Sequence, residues 1–317
     1  MQRAAQFARE TSSDGAFVRQ PSKFRNWISD DSDAPYSPAA GRYHLYVSLA
    51  CPWAHRAVIV RHLKGLEDAI GMSVVDPVRD ELGWAFRDGP DHGADPLHNW
   101  AYLSEAYLQT DPSFDGRITV PVLWDTHTNT VVSNESADVI QMLNDSFNSW
   151  AENAALDLAP AHLRAAIEHI NGRVYEGLNN GVYRAGFATA QDAYEAAYAD
   201  VFSTLDELEE ILATQRYLTG GTLTLADIRL WTTLIRFDSV YVGHFKCNRR
   251  RIVDYPALWG FTRDLFQMPG VADTVNFDHI KRHYYVSHTK INPTGIVPAG
   301  PDLDLRAPHE RAGVSIP

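Results

Sequence analysis

The segment Tyr46-Val47-Ser48-Leu49-Ala50-Cys51-Pro52-Trp53-Ala54-His55-Arg56 constrains the fold more than any other in this 317-residue chain. Apolar and β-branched residues ahead of it read as a strand, and Trp53 to Lys64 behind it reads as a helix. A cysteine therefore stands where a strand hands the chain to a helix. Pro52 falls at the first helical position, where its missing N–H costs nothing. The first-turn N–H groups of a helix have no partner within it, and the helix dipole is positive at that end. A thiolate is stabilised in such a place and its pKa falls. Burial as a structural residue is the commoner fate of a free cysteine, but the Cys-Pro pair at this turn favours a nucleophile. Ala54 occupies the position a Cys-x-x-Cys pair would need, so no resolving thiol is adjacent. A mixed disulfide formed on Cys51 would have to be released by an external thiol. Cys247, in Phe245-Lys246-Cys247-Asn248, has no such context and reads as structural.

The surrounding pattern is strand Tyr43–Ser48, helix Pro52–Lys64 ended at Gly65, and strand Gly71–Val78. The stretch Arg79–Gly116, rich in Gly, Pro, Asp and His, reads as a long connection, and long connections in compact domains tend to be functional. Val120–Asp125 and Thr130–Val132 then read as a hairpin, and Glu135–Leu143 as a helix. That order predicts an α/β thioredoxin-like domain over 42–145, a mixed sheet with flanking helices. From Ala159 helical periodicity takes over, through Ala161–Leu178, Gln191–Thr214, Ala226–Val242 and Tyr255–Phe266. Thr224-Leu225-Ala226-Asp227 has the form of a capping box with Asp in place of Glu. An all-helical domain over 158–290 is expected, after a linker at 145–157. Residues 1–41 read as an irregular arm whose aromatics Phe17, Phe24 and Trp27 pack on something. Residues 291–317, with Pro293, Pro298, Pro301 and Pro308, read as an extended tail.

Composition removes several functions. A net charge of −12 disfavours nucleic-acid binding, which needs a basic face. Two cysteines make no disulfide framework and point to a reducing, cytoplasmic setting. Met1 to Phe17 lacks the apolar run of a secretory signal, and no stretch nears the about 18 apolar residues of a membrane helix. There is no G-x-G-x-x-G after a strand, no phosphate loop, no serine elbow and no zinc spacing around His92 and His98. No metal is expected.

Several other groups could carry chemistry. His55 and Arg56, in the first helical turns, either add positive charge near the thiolate or, for His55, face solvent or cap a neighbour. Val120-Pro121 opens the strand beside the nucleophile. In a thioredoxin-like sheet that proline is usually cis and leaves the Val120 backbone open to a peptide ligand, whereas an ordinary trans proline at a strand start is also common. Asn134-Glu135-Ser136 follows a strand and opens a helix. It either gathers N–H groups and a hydroxyl for a carboxylate, with Glu135 for an ammonium, or it is plain N-capping by Asn134 or Ser136. A γ-glutamyl end carries both groups. Trp84 and Arg117 border the long connection, Trp84 either as an aromatic wall or as a plain core residue, and Arg117 as a carboxylate partner. Tyr183 stands in Asn179-Asn180-Gly181-Val182-Tyr183-Arg184-Ala185-Gly186, a glycine-broken stretch rather than a regular helix, where a phenol could reach a ligand oxygen.

Those motifs, with Thr119-Val120-Pro121-Val122-Leu123-Trp124-Asp125, Ser133-Asn134-Glu135-Ser136 and Ile280-Lys281-Arg282-His283-Tyr284-Tyr285, resemble the glutathionyl-hydroquinone reductases, the xi class of glutathione transferases. The likeness runs from Phe24-Arg25-Asn26-Trp27-Ile28 to Ile291-Asn292-Pro293-Thr294-Gly295. It implies a glutathione-binding first domain and a quinol-binding helical domain. It implies Cys51 as the catalytic residue, with Trp84, Arg117, Val120, Pro121, Glu135 and Ser136 about glutathione. Tyr183, Tyr284 and Tyr241 would hold the quinol oxygens. The substrate implied is an S-glutathionyl-hydroquinone, the co-substrate glutathione, and the assembly a homodimer through the helical domain. An omega-like thiol transferase or dehydroascorbate reductase, a glutathione-dependent reductive dehalogenase, and a non-enzymatic binding module are the alternatives. The intact Cys51 argues against the last.

Overall fold

The computed structural model of the protein describes residues 10–31 and 33–313. Residues 1–9 and Ser32 of the expected arm, and 314–317 of the expected tail, lie outside the described residues. The chain divides into two compact units. The first contains Gln20–Asp157 and Thr274–Thr289, and the second contains Leu158–Asp273 and Lys290 onward.

The first unit is a four-stranded mixed sheet in the order β2-β1-β3-β4. It is built from β1 (Tyr43–Val47), β2 (Ile70–Val74), β3 (Val122–Asp125) and β4 (Thr130–Ser133). β2 runs parallel to β1, β3 antiparallel to β1, and β4 antiparallel to β3. All five residues of β1 are buried, as a central strand covered on both faces requires. Helix α1 (Pro52–Lys64) joins β1 to β2 and matches the expected span. Gly65 stops it in the left-handed region (φ +62°), its N–H returning to the Arg61 and His62 carbonyls. Helix α3 (Ser136–Asp145) follows β4. The long connection is not structureless, because α2 (Ser104–Thr110) lies within it. Glu105 turns back to accept the N–H groups of Ala101 and Tyr102 at 2.8 and 3.0 Å, so the start of that short helix is fixed by a local bond that apolar periodicity does not reveal.

The arm does pack. The Asn26 N–H donates to Val132 O and the Asn134 N–H to Phe24 O, both at 3.0 Å, so Phe24–Asn26 covers the free edge of β4. Phe17 and Phe24 are buried, but Trp27 is 48% exposed, contrary to expectation.

The second unit is helical, with α4 (Arg164–Val174), α5 (Gly181–Phe187), α6 (Gln191–Thr214), α7 (Leu225–Arg236) and α8 (Pro256–Phe266). Asp227 caps α7 as the sequence suggests, accepting the Thr224 N–H at 2.8 Å and its hydroxyl at 2.9 Å. Two single-turn π segments interrupt the α geometry, Tyr175–Asn179 before α5 and Phe237–Tyr241 after α7. Such insertions are often found at functional sites. The expected tail is free of helix and strand over 290–313. Helix α9 (Phe277–Ser287), which periodicity did not single out, belongs to the first unit rather than to the helical one.

Candidate functional site

Cys51 is the residue ahead of α1, in extended conformation (φ −79°, ψ 122°), with Pro52 opening the helix. Its N–H donates to Ser48 O at 3.1 Å and its carbonyl accepts the His55 N–H at 3.0 Å. The antiparallel pairing of Tyr46 with Val122 brings residues beyond β1 against residues ahead of β3. The half-buried Cys51 sulfur accordingly lies 3.6 Å from the Val120 carbonyl oxygen. The Val120–Pro121 bond is cis. Cys247 is the opposite case, fully buried, with burial pushing its thiol up to about 12.

His55 does not face solvent. It is buried, with Nε2 2.8 Å from Thr274 Oγ1. Arg56 is also buried, its guanidinium 4.4 Å from the Trp53 ring centroid and its Nη1 donating to Ser136 Oγ at 3.2 Å. A cation thus ties α1 to the first residue of α3. The cap of α3 is neither Asn134 nor Ser136 but Glu135, whose Oε1 accepts the Ala137 N–H at 3.1 Å. Its Oε2 accepts Ser22 Oγ at 2.9 Å. Asn134 instead holds the arm, accepting the Phe24 N–H at 3.1 Å. Cys51, Val120 and Pro121 form one group, and Glu135, Ser136 and Arg56 form a second.

Trp84 sits in the long connection, its carbonyl accepting the Leu103 N–H at 2.9 Å. The ring is only 5% exposed. It stacks on His283 of α9 (centroids 4.9 Å, interplanar angle 20°), and the Arg79 guanidinium lies 5.2 Å from its centroid. Arg117 is half-buried in the irregular stretch ahead of β3. Tyr284, also on α9, is buried and packs edge-on against His283 and His288, while its neighbour Tyr285 is half-buried.

In the second unit Tyr183 lies on α5, which is regular helix where a glycine-broken stretch was expected. The glycines serve close packing there, since a Cβ at Gly186 would meet the Phe245 ring at 2.1 Å. Tyr183 and Tyr241 have ring centroids 6.1 Å apart, and Phe245 packs on both, at 5.4 and 5.5 Å. Tyr241 closes the second π segment. The pairing of these two tyrosines joins residues 58 positions apart along the chain, and spacing alone could not show it.

Models of the glutathione S-transferase N-terminal and C-terminal domains match residues 50–146 and 191–264. Over 308 residues the chain is 54% identical to the glutathionyl-hydroquinone reductase YqjG of Escherichia coli, covering 95% of this chain and 93% of that protein. The structure of the xi glutathione transferase from Phanerochaete chrysosporium aligns with a TM-score of 0.91 at 51% identity, over 95% of this chain and 98% of that one. The chain belongs to the xi-class glutathione transferases, the glutathionyl-hydroquinone reductase family. Another member of that family, PcpF of Sphingobium chlorophenolicum, is 49% identical over 93% of this chain and 92% of its own. The glutathione-bound structure of YqjG aligns with a TM-score of 0.88, over 91% of this chain and 96% of that one. For a xi-class chain, sequence reasoning passed over two neighbours of its candidate residues. Arg19 lies over Tyr183, and Arg79 lies over Trp84. Both are isolated arginines in irregular segments, where no period or spacing marks them.

Proposed function

We propose that the protein reduces S-glutathionyl-hydroquinones to hydroquinones with glutathione as co-substrate. The observation that carries this reading is a half-buried Cys51 at the start of α1, in a chain about half identical, along nearly its full length, to two glutathionyl-hydroquinone reductases. The partial positive charge of the α1 N-terminus favours negative charge on that sulfur. Tyr183, Tyr284 and Tyr241 hold the quinol oxygens and favour the ketone tautomer, whose sulfur-bearing carbon is sp³. The Cys51 thiolate attacks the glutathione sulfur. An S–S bond forms, the C–S bond breaks, and its electron pair passes into the ring as the quinol oxyanion, which takes up a proton. The ring is reduced and Cys51 is oxidised to a mixed disulfide. A second glutathione thiolate attacks that disulfide at the glutathione sulfur, releasing glutathione disulfide and the Cys51 thiolate.

Glutathione takes its place through the first unit. The Val120 backbone, ahead of Pro121, pairs with its cysteinyl amide group. Ser136 and the positive N-terminal end of α3 receive the γ-glutamyl carboxylate, and Glu135 receives the ammonium. Arg117 and Trp84 complete the contacts. The protein acts in the reducing cytoplasm as a homodimer joined through its helical domain. Among the described residues no helix is long and apolar enough to cross a membrane.

Replacing the nucleophile tests the reading. Cys51→Ser is expected to reduce turnover of a glutathionyl-hydroquinone at least a thousandfold while leaving the thermal midpoint within a few degrees, since the residue is only half-buried. Undiminished turnover in that variant would end the proposal.

A further inference from the structure

We propose that Arg19 is a positioning residue for this reduction, acting through Tyr183 on the charge that the departing quinol acquires. The inference rests on the reading of Tyr183 as a holder of a quinol oxygen. Arg19 ends a short segment anchored within the second unit. Gly15 O accepts the Thr189 N–H at 2.9 Å, and Phe17 packs on Phe187 with centroids 5.3 Å apart. From that anchor the guanidinium carbon lies 4.8 Å from the centroid of the Tyr183 ring and 5.3 Å from that of Phe17. Its Nε donates to Asn180 Oδ1 at 2.8 Å. Asn180 precedes α5, and its carbonyl accepts the Tyr183 N–H at 3.0 Å. One guanidinium therefore grips both the start of the helix that carries Tyr183 and the face of the Tyr183 ring.

The rest of the ring's surroundings sharpen the effect. Phe187, Phe245 and Tyr241 pack around it at 6.1, 5.4 and 6.1 Å, so little water intervenes to screen the charge. A cation over the ring face draws electron density from the phenol and makes its O–H a stronger donor. That matters at one moment, when the electron pair of the C–S bond passes through the ring to the quinol oxygen. A hydrogen bond from a more acidic donor gains most when its acceptor turns negative, so it lowers the barrier more than it tightens ground-state binding. Packing alone would be met by an apolar side chain of the same length.

The experiment uses the full chain and a series of glutathionyl-hydroquinones whose ring substituents alter the acidity of the quinol. Arg19→Met keeps the stem and removes the charge, and Arg19→Lys returns a charge without the planar group. Single-turnover rates of quinol release are measured with KM and thermal midpoint. Arg19→Met is expected to slow release about tenfold with KM changed less than threefold. The rate is expected to depend more steeply on quinol acidity, and Arg19→Lys to recover part of the loss. An unchanged rate, or an equal loss across the series with no change of slope, overturns the inference. Failure of the underlying reading shows separately, as Tyr183→Phe with full activity while Arg19 is intact, and it takes the inference with it.

Discussion

At the scale of single residues, the chain separates its two cysteines by environment. Cys51 stands half-buried at a helix start, while Cys247 is sealed in the helical unit with its thiol pushed up to about 12. Glu135 carries two tasks at once, capping α3 through Ala137 and facing Ser22. Those tasks can be pulled apart. Glu135→Gln keeps an acceptor for the Ala137 N–H and loses the charge proposed to receive the glutathione ammonium. KM for glutathione is expected to rise about tenfold, the weight of one charge-assisted bond, with the thermal midpoint nearly unchanged. Steady-state kinetics with calorimetry checks both. Residue chemistry was legible in the sequence where it is local. The strand-Cys-Pro-helix turn announces Cys51, and Asn134-Glu135-Ser136 announces a helix start. Which of the three residues caps the helix was not legible, because the arm claims Asn134 and Arg56 claims Ser136.

At the scale of elements, α1 and α6 were legible to the residue because each has a periodic interior and distinct ends. The runs Ala161–Leu178 and Ala226–Val242 read as single helices. In the structure each changes to a π turn that keeps the same apolar face while adding a residue. Helix α2 was hidden in a polar connection, and α9 by its mixture of histidines and charges. The tail looked merely extended, yet Arg311 is buried and serves as a cap for the end of α6. Its Nη2 donates to the carbonyls of Leu212, Gln215 and Arg216 at 3.1, 2.9 and 2.8 Å, and its Nη1 to Ala257 O at 3.3 Å. Positive charge at a helix C-terminus is favourable, and removing it strands several buried acceptors. Arg311→Ala is expected to cost about 2–3 kcal/mol, read from denaturant unfolding of the helical unit. A change below about 0.5 kcal/mol would show that water replaces the guanidinium without loss.

At the scale of the whole molecule, the two units differ in their response to acid. In the first, burial holds His44 down at about 4 against the ordinary 6.5. The unfolded chain takes up a proton that the folded ring refuses, so stability is lost as pH falls from 6.5 to 4, by about 3 kcal/mol. In the second, burial likewise lowers His244 to about 4, but burial raises Asp227 to about 6 against its ordinary 3.8. A carboxyl whose folded pKa is raised gains stability as pH falls through that window, which offsets His244. Hydrogen exchange, corrected for intrinsic rates, is therefore expected to show β1–β4 losing protection between pH 6.5 and 4.5 before α6–α8 do. The reverse order would contradict this assignment of charges. The central claim, that Cys51 takes the glutathione sulfur, is tested most directly by one turnover without free thiol. Enzyme mixed with one equivalent of a glutathionyl-hydroquinone should release one equivalent of hydroquinone, and intact-mass and peptide mapping should find one glutathione disulfide-bonded to Cys51. Stoichiometric hydroquinone with an unmodified Cys51 would contradict it.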